Sequence, residues 1–129
     1  MIIYNVTVNI DNAAREEWLQ WMQETHIPDV MATGMFIENK ILRLIGDEDT
    51  GGTTYAIQYT AKTMGDYERY RDEFAPALQK HAMELFGAKF TAFRTLLETG
   101  SLKAIGLVYS HIDGFIIPAG DNRTGPKPE

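Results

Sequence analysis

Apolar and polar side chains take turns along residues 2 to 10. Ile2, Tyr4, Val6, Val8 and Ile10 share one parity, and Asn5, Thr7 and Asn9 share the other. A period of two is that of a strand with one buried face, so the run predicts a first strand. The same order of parts then occurs twice, about fifty residues apart: a strand with an early tyrosine (Tyr4, Tyr55), a helix holding a histidine and a proline, and a glycine followed by a strand bearing phenylalanine (Gly34 and Phe36, Gly87 and Phe90). One right-handed crossover in each half, joined by a hairpin, gives a four-stranded antiparallel sheet with both helices on one face. This is the α+β, ferredoxin-like βαββαβ arrangement.

The helices follow from spacing. Ala14, Trp18, Trp21, Met22 and Thr25 recur at three and four residues, predicting a helix from about Ala13 to His26, with Asp11 or Asn12 available as cap. Pro28 disfavours helical geometry at Ile27 and predicts a kink, and Gly34 a stop. Residues 35 to 45 read as a second strand whose parity shifts partway; residues 53 to 61 alternate again as a third. Thr63 or Asp66 heads a second helix with the stripe Tyr67, Tyr70, Phe74, Leu78, His81, Leu85, bent at Pro76 and ended by Gly87. Residues 88 to 98 form the fourth strand. Beyond the 1–100 domain, Asp113-Gly114 lies between two apolar runs and predicts a hairpin extension over 101–119, ahead of a Pro/Gly-rich, mobile tail over 120–129.

Composition removes whole classes of function. With no cysteine in 129 residues there is no disulfide, thiolate nucleophile or Cys-based metal site. A net charge of −6 with scattered basic residues disfavours nucleic acid as a partner. No apolar run reaches the roughly 20 residues of a membrane span, and Met1 leads straight into Ile2-Ile3-Tyr4 without a basic, signal-like segment, so a cytoplasmic location is expected. No motif calls for a cofactor or a metal. Asp47-Glu48-Asp49 has only part of a calcium loop and reads as a solvated turn.

The candidate ligand-binding residues are His26, His81, Tyr4, Tyr55, Trp18 and Arg94. His26, at a helix end beside a proline, has the chemistry of a general base or ligand-orienting group near neutral pH; its plainer role is to stabilise the helix terminus. His81 falls on the inward stripe, where a hydrogen-bonded boundary histidine is the simpler account. Tyr4, Tyr55 and Trp18 belong to an aromatic set, with Tyr59, Tyr67, Tyr70 and Trp21, that packs a core or walls a pocket for a flat molecule. Arg94 and Arg43 are the cations placed to meet an anion. The sheet face away from the helices carries Asn5, Thr7, Asn9, Gln58 and Thr60, with apolar residues from the outer strands, and suits a second copy of the chain.

Three segments, Met1-Ile2-Ile3-Tyr4-Asn5-Val6-Thr7, Trp21-Met22 through His26-Ile27-Pro28-Asp29-Val30-Met31, and Phe90 through Arg94-Thr95-Leu96-Leu97-Glu98, resemble a small bacterial family known only as a domain of unknown function. The resemblance covers about residues 1 to 98 and implies the dimeric α+β barrel superfamily, whose members include cofactor-independent monooxygenases, small isomerases and proteins without assigned activity. It implies a homodimer with sheets face to face and a ligand between sheet and helices, near His26 and His81. Three functions stay open: a small-molecule-binding protein, a cofactor-free enzyme on a small aromatic metabolite with His26 or His81 as proton shuttle, or an interaction module that lends its hairpin to another sheet.

Overall fold

The structure, a computed structural model, describes residues 1–46 and 51–100 together with the strands Val108–Ile112 and Phe115–Pro118. The turn expected at 47–50, the Asp113-Gly114 turn and the tail expected over 120–129 lie outside the described residues.

Strand β1 (Ile2–Asp11) is the spine. It pairs antiparallel with β3 (Gly52–Ala61) on one side and β4 (Phe90–Thr99) on the other, and β2 (Glu38–Arg43) pairs with β3. The order β2-β3-β1-β4, with a helix in each crossover, is the ferredoxin-like α+β arrangement expected from the repeat. The hairpin β5 (Val108–Ile112) and β6 (Phe115–Pro118) continues the same sheet beyond β4, with Leu97 opposite Ser110 and Thr99 opposite Val108.

Register fixes the faces. Tyr4 lies opposite Tyr59 and Leu96, Val6 opposite Ile57 and Arg94, Val8 opposite Tyr55 and Ala92, so all of these point toward the helices. The other face carries an amide ladder: Gln58 Nε2 donates to Asn5 Oδ1 at 3.2 Å, and Asn5 Nδ2 donates to Thr95 Oγ1 at 3.2 Å and Thr7 Oγ1 at 3.1 Å. Strand β2 is shorter than the expected 35–45 because Phe36 turns into the core, 4% exposed, against Tyr59 and Tyr70. That inward turn is the source of the parity shift.

Neither proline breaks its helix. The first helix spans residues 15–32 and the second 64–86, and each contains a five-residue π-helical segment: Met22–His26 and Tyr70–Phe74. The Ile27 N–H donates to the Met22 carbonyl and the Ala75 N–H to the Tyr70 carbonyl, both i to i+5, one residue before Pro28 and Pro76. The wide turn absorbs the missing proline donor at a shifted hydrogen-bond register, so Ile27 keeps helical angles (φ −61°, ψ −45°) where a kink is expected from sequence. Thr63 caps the second helix by accepting from the Asp66 N–H at 3.1 Å, whereas neither Asp11 nor Asn12 caps the first; Asn12 Oδ1 instead accepts from Thr53 Oγ1 at 2.6 Å. Gly34 ends the first helix in the left-handed region (φ +79°), as expected. Gly87 has φ −51°, open to any residue, and a Cβ there would meet only the flexible end of Met83, at 3.2 Å.

The core between helices and sheet centres on Tyr4, Ile10, Trp18, Val30, Ile57 and Tyr59. Ile57 is 1% exposed in the middle of β3. Ile57→Ala should lower the unfolding free energy by roughly 2–5 kcal/mol in a denaturant titration, as large-to-small core changes do.

Candidate functional site

The helices do not lie flush on the sheet. A cavity of about 290 Å³ separates them, at the small end of the roughly 300–1,000 Å³ typical of ligand clefts. Strand side chains form its floor: Tyr4, Val6 and Val8 from β1, Ile57 and Tyr59 from β3, Phe90, Ala92 and Arg94 from β4. The first helix contributes Trp18, Trp21, Met22 and His26, and the second Tyr70, Gln79, Ala82 and Met83. Two small residues, Ala82 and Gly87, stand where bulkier side chains would reduce the space.

Arg94 is held in a definite pose. Its Nε donates to the Tyr4 hydroxyl at 3.0 Å, which leaves the remaining guanidinium donors available. Among the described residues, ion pairs join Arg69 to Glu73 and Arg71 to Asp72, and none involves Arg94. Among the described residues no carboxylate lines the cavity, although the chain has 18 acidic residues against 12 basic ones. Arg94 is thus, among the described residues, the one formal charge on a wall otherwise made of aromatic, aliphatic, imidazole and amide groups.

The ionisable groups around it are neutral near pH 7. Burial lowers His26 to about 4; the positive charges of His81 and Arg94 act in the same sense, and Asp29 opposes them. Burial raises Tyr4, Tyr59 and Tyr70, with Arg94 pulling Tyr4 and Tyr70 partly back. The His26 ring stacks on Trp21 with centroids 4.9 Å apart. The Tyr59 hydroxyl is sealed from solvent and has no hydrogen-bond partner among the described residues.

Of the residues singled out from sequence, His26, Tyr4, Trp18 and Arg94 line the cavity together. His81 and Tyr55 lie outside it. His81 is exposed on the second helix, edge-on to Trp21 at 5.6 Å. Tyr55 is buried against Trp18 at 5.3 Å, and its hydroxyl accepts from Arg15 Nη1 at 3.3 Å. The cause of the His81 displacement is the π segment. The stripe Tyr70, Phe74, Leu78, His81, Leu85 assumes an unbroken α-helix, and one residue taken up by the wide turn moves the inward face to Ala75, Gln79, Ala82 and Phe86. Gln79, Ala82 and Met83 were therefore hidden from an α-helical reading, and the one sequence signal for them is the proline that accompanies the wide turn.

Residues 1–100 match the family model described as a domain of unknown function, DUF4286, and the chain belongs to that family. Two crystal structures share its fold. One, from Bacillus halodurans C-125, is of an ethyl tert-butyl ether d (EthD) family protein, with 16% identity, a TM-score of 0.54, and 73% of this chain and 96% of that one covered. The other, from an uncultured marine organism, is of a dimeric ferredoxin-like protein, with 15% identity, a TM-score of 0.50, and coverage of 74% and 92%. No curated protein matches the sequence. Among the described residues no helix is long and apolar enough to cross a membrane, and no group of three or more His, Asp or Glu side chains could hold a metal ion.

Two stability measurements probe this wall. Tyr59→Phe removes a buried hydroxyl that has no partner, so the variant should be more stable by roughly 1–3 kcal/mol; a loss would mean that the hydroxyl is bonded in solution. For His26, the unfolded chain takes up a proton below about 6.5 while the folded one resists until about 4. The unfolded state binds more protons in that window, so stability falls as pH drops through it and the fall levels off below 4. In His26→Gln the unfolding free energy should decline less between pH 6.5 and pH 4 than in the parent chain, measured side by side in urea.

Proposed function

We propose that this member of the DUF4286 family binds a small organic molecule in the cavity between helices and sheet, and that it does so as a homodimer. The observation that carries the reading is the cavity itself: about 290 Å³ of space walled by aromatic and aliphatic side chains, with a few polar groups directed by the fold. A chain whose helices served only to cover the sheet would close that cleft, because unfilled space between helices and sheet forfeits the contacts that hold a core together.

Homodimerisation is supported by the sheet's other face. Phe93 is 63% exposed and Leu42 44% exposed on that face, with Ile3 and Leu97 half-buried beside the Asn5 ladder. Apolar side chains flanking satisfied amides suit a second sheet packed across a twofold axis. The description of one structural neighbour as dimeric is in keeping with this. The cofactor-free enzyme reading has less support. His26 faces the cavity, but no hydrogen bond from a described residue orients its ring, and a group lowered to about 4 is a weak base at neutral pH. A purely structural role sits poorly with a hollow interior.

Trp18 and Trp21 line the cavity and are the two tryptophans of the chain, so their fluorescence reports occupancy. Titration with 2-naphthol should quench the emission saturably in the parent chain and much less in Ala82→Phe, which fills the space. Unsaturable quenching, equal in both, would remove the binding reading. In sedimentation equilibrium the parent should show twice the 14.6 kDa chain mass, and Phe93→Asp, by placing a charge in the sheet-to-sheet contact, should yield a single-chain mass. A parent that is monomeric at micromolar concentration would remove the dimer.

A further inference from the structure

We infer that the ligand is a small monoanion, an aromatic acid whose carboxylate is received by Arg94 while its ring lies against the tryptophans and tyrosines of the cavity. This rests on the reading that the cavity takes a small molecule, and adds the charge and class of that molecule.

Three observations point the same way. The first is the isolation of Arg94. An exposed arginine on an acidic protein ordinarily finds a carboxylate or extends into water. This one is tethered through Nε to the hydroxyl of a tyrosine that is 4% exposed, and no described acid meets it. Tethering at Nε leaves the terminal nitrogens to present parallel N–H groups, the geometry that fits a carboxylate.

The second is the sign of the wall. With 18 acids in 129 residues, the absence among the described residues of any Asp or Glu from the lining lets an anion enter without a carboxylate at the wall to repel it. The third is the number of charges the wall can balance. Arg94 supplies one positive charge. His26 is uncharged at pH 7, because burial, with the charge of Arg94 acting in the same sense, outweighs the pull of Asp29. Gln79 and the three lining tyrosines are neutral there also. One charge is balanced and a second is not.

The shape of the ligand follows from the walls. Trp18 and Trp21 on one side and Phe90 with Tyr4 on the other are flat groups, and an aromatic ring makes more contact with them than a branched aliphatic body of equal size.

The test uses the full chain and tryptophan emission at pH 7.5 with three probes of one ring size: 2-naphthoate, its neutral amide 2-naphthamide, and the dianion naphthalene-2,6-dicarboxylate. The monoanion should bind about tenfold tighter than the amide, the worth of a charge-assisted hydrogen bond over a neutral one, and more tightly than the dianion. In Arg94→Met the preference for naphthoate over naphthamide should vanish while naphthamide still binds, which shows that the cavity is intact; Arg94→Lys should restore part of the preference. Equal affinity for acid and amide in the parent chain, or a preference that survives in Arg94→Met, overturns the anion assignment and leaves the cavity as a neutral-molecule site. Binding of none of the three overturns the small-molecule reading along with it.

Discussion

Tyr4 is the residue through which core and cavity are joined. Its ring stacks with Phe36 and Tyr59 and meets Tyr67 and Tyr70 at 5.2 and 5.8 Å, linking both crossovers to the central strand. Its hydroxyl, at the other end of the same side chain, holds Arg94 at 3.0 Å. A phenol is suited to both tasks because its body is apolar and its tip is not. The position of Arg94 is therefore set by the same packing that holds the helices on the sheet, and loosening the aromatic cluster would also loosen the cation. That coupling follows from the alternation of β1: with Tyr4 inward, Val6 and Val8 are inward too, and Asn5 must face the other way.

The opposed faces of the sheet handle polarity differently. On the outer face the central polar side chains bond one another, Gln58 to Asn5 to Thr95, across three strands. On the inner face polar groups are few, and two stand without internal partners among the described residues: the Tyr59 hydroxyl and the outer nitrogens of Arg94. An unpaired polar group inside a protein costs free energy, and that cost falls on the buried Tyr59 hydroxyl, whereas the exposed Arg94 nitrogens are open to water.

Much of this was legible in the sequence. Alternation along residues 2 to 10 and 53 to 61, together with the doubled order of parts, determines the strand order, because β1 must lie between β3 and β4 once both crossovers are right-handed. The aromatic residues and His26 and Arg94 were recognisable as chemistry-bearing, and the structure brings both to one cavity with Tyr4 and Trp18. His81 falls on the wrong face in the sequence pattern, and Gln79 and Met83 stay hidden in it, for a single reason: hydrophobic spacing assumes 3.6 residues per turn, and the second helix does not keep that period. Hydrophobic spacing reports which face is buried only while the hydrogen-bond register is unbroken. The cavity itself left no mark in composition, since a hollow is made by the smallness of Ala82 and Gly87 at positions whose orientation had first to be known.

The two π turns sit at equivalent places in the two halves, at Met22–His26 and Tyr70–Phe74, each directly upstream of an Xaa-Pro step. Each acts as an extra count in the chain. Rewinding it to an ordinary α turn with the same number of residues would swing everything downstream through about 100°, the angle per residue of an α-helix. In the second helix that rotation would carry Gln79 and Ala82 away from the strands and bring His81, now exposed, toward them. The identity of the inner wall is thus set partly by the width of the turn that precedes Pro76, and the same chain wound without that turn would present a different interior.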